Sequence, residues 1–217
     1  MDRDLFVSKV GTAVAGGRLP ATEAPAAIPP PDQIDLLALF VERATAVNAV
    51  VHGPLGPSQV PGAVERIVSG HPGEAFVAWD ELPVPGVISE LTAAGRRRVT
   101  HEIGADDRLQ RQLAFRDLGF GITGADAGLA ESGSIVLTHG PGRPRMASLI
   151  PEVHVALLEV TAIHRSLAHF AQRIPGIAAS TTNMVVVSGP SRTGDIELQL
   201  NLGVHGPRIV HIVLVRP

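Results

Sequence analysis

The 217-residue chain contains no cysteine, which excludes disulfides, zinc thiolate centres, a thiol nucleophile and any iron–sulfur cluster ligated by its own thiolates. No cofactor is bound through cysteine, so redox chemistry would require a cofactor of unknown identity or a partner chain. Aromatic residues are scarce at 3%, leaving Val, Leu, Ile and Ala to fill the core and arguing against recognition of nucleic acid by base stacking. Neither sign of charge dominates: the net charge is −3 and the pI about 6.3, giving no general attraction to nucleic acid or to an acidic membrane. Nowhere do about 18 apolar residues run together. Met1 to Val10 mixes Asp, Arg and Lys with single apolar residues rather than forming a secretory h-region. These absences predict a cytoplasmic protein with no nucleic-acid partner and no direct membrane insertion.

What is present is a 45% hydrophobic composition with mean hydropathy +0.23, enough for one sizeable α/β core. Residues 1–31 read as an N-terminal helix followed by a Pro/Gly-rich arm, because Gly16 to Pro31 carries Pro20, Pro25 and the run Pro29 to Pro31. Residues 32–217 read as a single α/β domain. Asp32 is placed to cap a helix with Ile34, Leu37, Val41 and Ala44 at helical spacing. Strands are then expected at AVVH, AFVAW and RRVTH, with helices at Pro61 to Ser69 and Ile88 to Ala94 between them. Further helices are expected over Asp107 to Leu118, over Ala162 to Ile174 and from near Asp195. Strands are expected over Ser134 to Thr138, Val153 to Val160, Asn183 to Ser188 and Arg208 to Val215. Val- and Ile-rich strands alternating with helices predict a largely parallel sheet covered on both faces.

Two stretches concentrate polar chemistry where apolar runs end. In Gly121 to Leu137, GITGADAGLAESGSIVL, the glycines Gly119, Gly121 and Gly124 formally match a dinucleotide fingerprint. They follow a predicted helix rather than a strand, so tight turns are the better reading. Thr123 and Asp126 are competing caps of a short helix over GADAGLA, and both are candidates for ligand contact. Glu131, just before the strand SIVL, is a candidate acid/base or nucleophile, its alternative being a helix-terminal carboxylate paired with an arginine. HGPGRPR follows that strand and offers Arg143 and Arg145 to a phosphate or carboxylate. In SGPSRTGDIE, Ser191, Arg192 and Thr193 precede a predicted helix whose N-terminal end would favour an anion. The nine histidines show no zinc spacing. His205 alone, ahead of the last strand, is a candidate to approach the same crevice as acid, base or ligand.

GITGADAGLAESGSIVL, SLIPEVHVALLE and SGPSRTGDIELQLNLGVHGPRIVHIVL, in that order, resemble the LUD-domain family, specifically its lactate-utilisation protein C type. The resemblance implies a three-layer α/β sandwich similar to the sugar-isomerase and CoA-transferase superfamily, in which a glutamate of a Gly-rich turn can accept an acyl group. Only Glu131 corresponds to such a residue. It further implies a role in oxidising L-lactate to pyruvate beside iron–sulfur partner proteins. The expected function is an accessory or substrate-binding subunit, with Arg192 and Arg143 or Arg145 holding a carboxylate and Glu131 and His205 flanking the hydroxyl-bearing carbon. The alternatives are a stand-alone isomerase or acyl/CoA transferase acting on a small anionic substrate, and a non-enzymatic assembly protein.

Overall fold

The computed structural model describes residues 34–99, 115, 118–177, 181–194, 200–202 and 205–217, with 4, 7–9 and 12 near the N-terminus; at 193–194 and 200–202 the backbone alone is described. The chain separates into two units, Met1–Pro30 and Pro31–Pro217. In the first, Asp4, Val7, Ser8, Lys9 and Thr12 are helical, and the Thr12 hydroxyl donates to the Ser8 carbonyl.

In chain order the second unit runs α1 (Leu36–Ala46), β1 (Val50–Leu55), α2 (Val60–Ser69), β2 (Ala75–Ala78), α3 (Val87–Ala93), β3 (Arg97–Arg98), β4 (Leu118–Gly124) and β5 (Ala127–Leu129). It continues with β6 (Ser134–His139), α4 (Met146–Leu149), β7 (Val153–Glu159), β8 (Ile163–His164), α5 (Leu167–Arg173), β9 (Asn183–Val187), β10 (Arg192–Gly194), β11 (Leu200–Leu202) and β12 (Ile209–Val215).

Six strands form a parallel sheet in the order β1-β12-β7-β4-β2-β3. Alternate residues serve its two faces. Phe76, Phe120, Ile122, Val155, Leu157 and Val213 pack under α2 and α3, whose Val60, Val64, Val68 and Val87, Leu91 recur every four residues. Pro61 in the first turn and Gly70 at the end delimit α2. Val77, Ala156, Leu158, Ile212 and Leu214 face the other way, against Phe40 and Ala44 of α1 and Ile135 and Leu137 of β6. Burying a side chain such as Phe40 completely contributes about 2–3 kcal/mol.

That second face departs from the expectation of a largely parallel architecture. It is covered by α1 together with a four-stranded sheet, order β8-β5-β6-β9, whose β6 pairs antiparallel with β5 and β9. Three local corrections follow. The cap of α1 is Asp35 rather than Asp32, its carboxylate accepting from the Leu37 and Ala38 amides at 3.0 Å. GADAGLA is a strand, not a helix: Ala127 and Leu129 face Phe170, while Gly128 faces Leu158 and Phe40, where a Cβ would lie 2.8 Å from Leu158. The glycines of β4 are strand residues, not turns. A Cβ on Gly121 would stand 1.6 Å from the Ala147 carbonyl oxygen, so the site requires glycine for close approach.

Of the helix expected over Asp107 to Leu118, Phe115 is helical and Leu118 opens β4, the rest lying outside the described residues. Likewise 195–199 lie outside them. Arg192–Gly194 and Leu200–Leu202 pair as antiparallel strands, so Leu200–Leu202 does not continue a helix from Asp195.

Candidate functional site

Parallel strands leave a crevice at their carboxyl ends wherever neighbouring connections depart in opposite directions. Here the chain leaves β2 toward β3 on one side and leaves β4 toward β7 on the other, so the crevice opens between the ends of β2 and β4. A cavity of about 340 Å³ occupies that place, lined by Trp79, Glu81 and Leu82 after β2, by Gly124 and Asp126 after β4, and by Glu159 at the end of β7. Arg143 completes the wall.

The local chain path explains why these side chains converge. After β4 the backbone crosses from one sheet to the other within two residues. The Ala125 amide donates to Leu157 of the parallel sheet at 2.9 Å, and the Asp126 amide donates to Val136 of the mixed sheet at 2.9 Å. Asp126 therefore stands at the seam. Its Oδ2 accepts from the Thr138 amide at 2.7 Å and the Thr138 hydroxyl at 2.9 Å, while Oδ1 accepts from Arg143 Nη1 at 2.8 Å. The turn after β6 closes with the Arg143 amide donating to the Gly140 carbonyl, and Gly142 takes φ +70°, which favours glycine. The Asp80 amide also donates to the Gly142 carbonyl at 2.8 Å, tying that turn to the end of β2. The guanidinium of Arg143 lies 4.7 Å over the Trp79 ring, and His139 meets the same indole edge-on at 6.0 Å. Burial holds the His139 imidazole below its ordinary pKa, so it is a neutral wall of the indole's surroundings.

Of the residues singled out in the sequence, Asp126 and Arg143 line this cavity and the others do not. Arg145 is exposed at the start of α4. Thr123 is fully buried, its hydroxyl 2.9 Å from His154 Nε2, and the closed environment pushes the His154 pKa down to about 4 through burial and, secondarily, the charge of His139. Thr123 thus makes a polar contact between the neighbouring strands β4 and β7 of the parallel sheet and does not line the cavity.

Glu131 sits in the exposed turn before β6 and accepts from Arg165 Nε at 2.7 Å. Ser191 donates its amide to the Pro207 carbonyl, and Arg192 Nη2 donates to the Val47 carbonyl at the C-terminus of α1. His205 is exposed ahead of β12. Val47 precedes β1 and Pro207 precedes β12, so Ser191, Arg192 and His205 stand at the amino ends of the parallel strands, the opposite edge of the sheet from the cavity. Thr193 lies in β10 beside Arg192. The single crevice expected from sequence is therefore two separate places.

Trp79, Glu81 and Glu159 escaped the sequence reading. The usable signal was positional: Trp79 is the one tryptophan of the chain and closes the apolar run AFVAW, and Glu159 closes VHVALLE.

The chain is a mixed α/β protein whose polar cavity lies at a topological switch point, at the carboxyl edge of the parallel sheet. The chain belongs to the LUD-domain family, whose model matches residues 37–215. It is similar to lactate utilization protein C of Exiguobacterium sp., 40% identical over 109 residues that make up 48% of this chain and 47% of that protein. It is also similar to lactate utilization protein C of Halalkalibacterium halodurans, 38% identical over 159 residues, 70% of this chain and 67% of that one. An uncharacterized protein of Neisseria meningitidis is 34% identical over 48% of this chain and 45% of its own length, so the chain spans about half the length of several curated relatives it matches. In fold it resembles the crystal structure of a DUF162 family protein from Deinococcus radiodurans, with TM-score 0.63 and 17% identity, covering 86% of this chain and 99% of that one. The family is thus associated with lactate utilisation. With no cysteine in the chain, no cysteine-coordinated cofactor belongs to it. Among the described residues no helix is long and apolar enough to cross a membrane.

Proposed function

We propose that the chain is a ligand-binding accessory subunit of a cytoplasmic system that oxidises L-lactate to pyruvate beside iron–sulfur partner proteins, and that the crevice at the ends of β2, β4 and β7 holds the substrate. The observation that carries this reading is the state of Arg143. Among the described residues its hydrogen bonds, to Asp126 Oδ1 and to Thr138 Oγ1 at 3.2 Å, both leave from Nη1. The N–H groups of Nη2 and Nε remain for a carboxylate, which suits the planar fork of a guanidinium. Asp126 is fully engaged by three donors and acts as the positioning residue of that arginine, with Trp79 as the platform beneath it.

Glu81 and Glu159 are the remaining carboxylates of the cavity wall and supply acceptors for a hydroxyl proton. Removing a hydride equivalent requires an acceptor, which in this reading the partner proteins provide. The parallel sheet with its switch-point cavity also supports kinship with the sugar-isomerase and CoA-transferase superfamily. Acyl transfer through Glu131 is not proposed, because its ion pair with Arg165 gives that carboxylate a structural role. Residues 1–31 are read as an arm that docks on the partners and 32–217 as the domain that carries the site.

The test is lactate-dependent dye reduction by tagged protein purified from lactate-grown cells, once with its partners and once stripped of them. Activity in the complex, lost on stripping and restored by adding the partners back, is the expected result. Turnover by the stripped chain would make it the catalyst itself and overturn the accessory role.

A further inference from the structure

On the α2 side of the parallel sheet, β1 and β12 carry histidines that the reading above leaves unused. His52 Nε2 lies 2.9 Å from His211 Nδ1, and His71 Nε2 lies 3.0 Å from His211 Nε2, so the three imidazoles form one hydrogen-bonded chain with His211 at its centre. Their nitrogens do not converge on one point: His211 directs its two ring nitrogens to different partners. Correspondingly, no group of three or more ligating side chains among the described residues is arranged to hold a metal ion. The chain borders a cavity of about 650 Å³, whose wall also includes Arg66, Ile67 and Leu55.

Among the described residues the ionisable groups that line this cavity are all bases. From α2 comes Arg66, which makes no ion pair among the described residues; from the segment after α2 comes His71; from β1 and β12 come His52 and His211. Among the described residues no carboxylate lines it, and the nearby Glu65 accepts from the Ser69 hydroxyl at 2.6 Å. Burial first, and then the neighbouring imidazoles of His52 and His71, hold His211 down to about 4, and burial lowers His52, so the central imidazole is neutral. A neutral imidazole has one N–H and one lone pair, hence His211 donates to one neighbour and accepts from the other.

We propose that this cavity binds a phosphate monoester, its oxyanion held by Arg66 and the His52–His211–His71 chain and its organic part against Leu55 and Ile67. An oxyanion supplies the missing countercharge, so binding draws a proton from solvent onto the imidazole chain. A proton arriving at one end is relayed through His211 by shifting one hydrogen along each of the two bonds, which lets either outer ring face the anion as a donor. A phosphate monoester presents three acceptor oxygens to donors on the separate side chains Arg66, His52 and His71, whereas a carboxylate presents two.

The experiment is calorimetric titration of the full chain with phenyl phosphate and with inorganic phosphate, at about pH 6 and about pH 8 and in two buffers of different ionisation enthalpy. Expected are binding of phenyl phosphate more tightly than inorganic phosphate, net proton uptake, and affinity weaker by about tenfold or more at the higher pH. Arg66→Ala and His71→Gln, both at solvent-reachable positions, are each expected to weaken binding at least about tenfold while circular dichroism stays unchanged. Nitrogen-resolved imidazole spectra are expected to show the His211 pKa rising on binding. Absence of phenyl phosphate binding at millimolar concentration, inorganic phosphate binding more tightly than the ester, or affinity untouched by Arg66→Ala and His71→Gln would each overturn the proposal. These outcomes leave the lactate crevice unaffected, since Arg143 and Asp126 take no part.

Discussion

Asp126 and Glu131 are five residues apart, both were expected in one ligand crevice, and each is paired with an arginine, yet the two pairs differ in every physical respect that matters. The Asp126 side chain is 18% exposed and takes three hydrogen bonds, two of them from Thr138 and one from Arg143, so the carboxylate fastens the seam between the sheets to β6 and the turn after it at the cavity wall. The Glu131 side chain is 48% exposed and holds Arg165 alone at an outer turn. Between them runs β5, and β6 follows. From Ser134 to Thr138, four strand steps at about 3.3 Å each put roughly 13 Å between the two ends of β6. Ser134 bonds Ser188 of the SGPSR loop at 2.7 Å at one end, and Thr138 bonds Asp126 at the other. Sequence proximity and matching composition did not decide which carboxylate reached the cavity. The crossing from one sheet to the other did.

The largest effect expected at either end is steric and belongs to the cavity side. Gly121→Ala drives a Cβ into the Ala147 carbonyl and should cost about 3 kcal/mol or more, read as a fall in the urea midpoint, whereas Gly140→Ala, with open space around its Cβ position, should be close to neutral. Equal effects would mean that β4 does not pack against α4 as described.

Asp126→Ala leaves the Thr138 amide and the Arg143 guanidinium without their acceptor and should destabilise by about 2–3 kcal/mol. Glu131→Ala removes an exposed pair and should cost less than about 1 kcal/mol. A reversal of that order in paired denaturation curves would break the comparison directly.

Acid sharpens it from another side. His154 of β7, bonded to Thr123 of the neighbouring strand β4, is neutral when folded with a pKa of about 4 against 6.5 unfolded, so below 6.5 the unfolded chain binds the proton first. Stability is therefore complete above pH 6.5 and is lost as pH falls toward 4, by up to about 3 kcal/mol from this group. His154→Gln should flatten the pH dependence of the melting temperature in that window; an undiminished slope would assign the loss to other groups.

A small effect, comparable with that of Glu131→Ala, is expected from Arg192→Ala, which gives up one exposed hydrogen bond to the Val47 carbonyl and should cost at most about 1 kcal/mol.

The parallel sheet was legible because β7 and β12, VHVALLE and IVHIVLV, are continuous apolar runs of strand length bounded by turn residues. The mixed sheet was less so. In β5 the inward position is Gly128, so the period of two carries no hydropathy contrast, and small residues read as a helix. Glycine is equally ambiguous in β4, since close approach of Ala147 and a positive φ both demand it and a sequence does not say which. HGPGRPR was legible as a turn carrying two arginines, but which of Arg143 and Arg145 lines the cavity depended on the turn that folds Arg143 back onto Asp126 and Trp79. The loop SGPSR was legible as a turn and misplaced as a site, because only strand direction shows that it lies at the amino edge of the sheet.

The most direct test of the account is calorimetric binding of L-lactate to the purified complex carrying single substitutions at each end. Arg143→Ala is expected to weaken binding at least about tenfold, with Arg192→Ala and Glu131→Gln within about twofold of wild type. Loss of binding in Arg192→Ala or Glu131→Gln, with Arg143→Ala unchanged, would place the substrate at the other end of β6 and contradict the assignment.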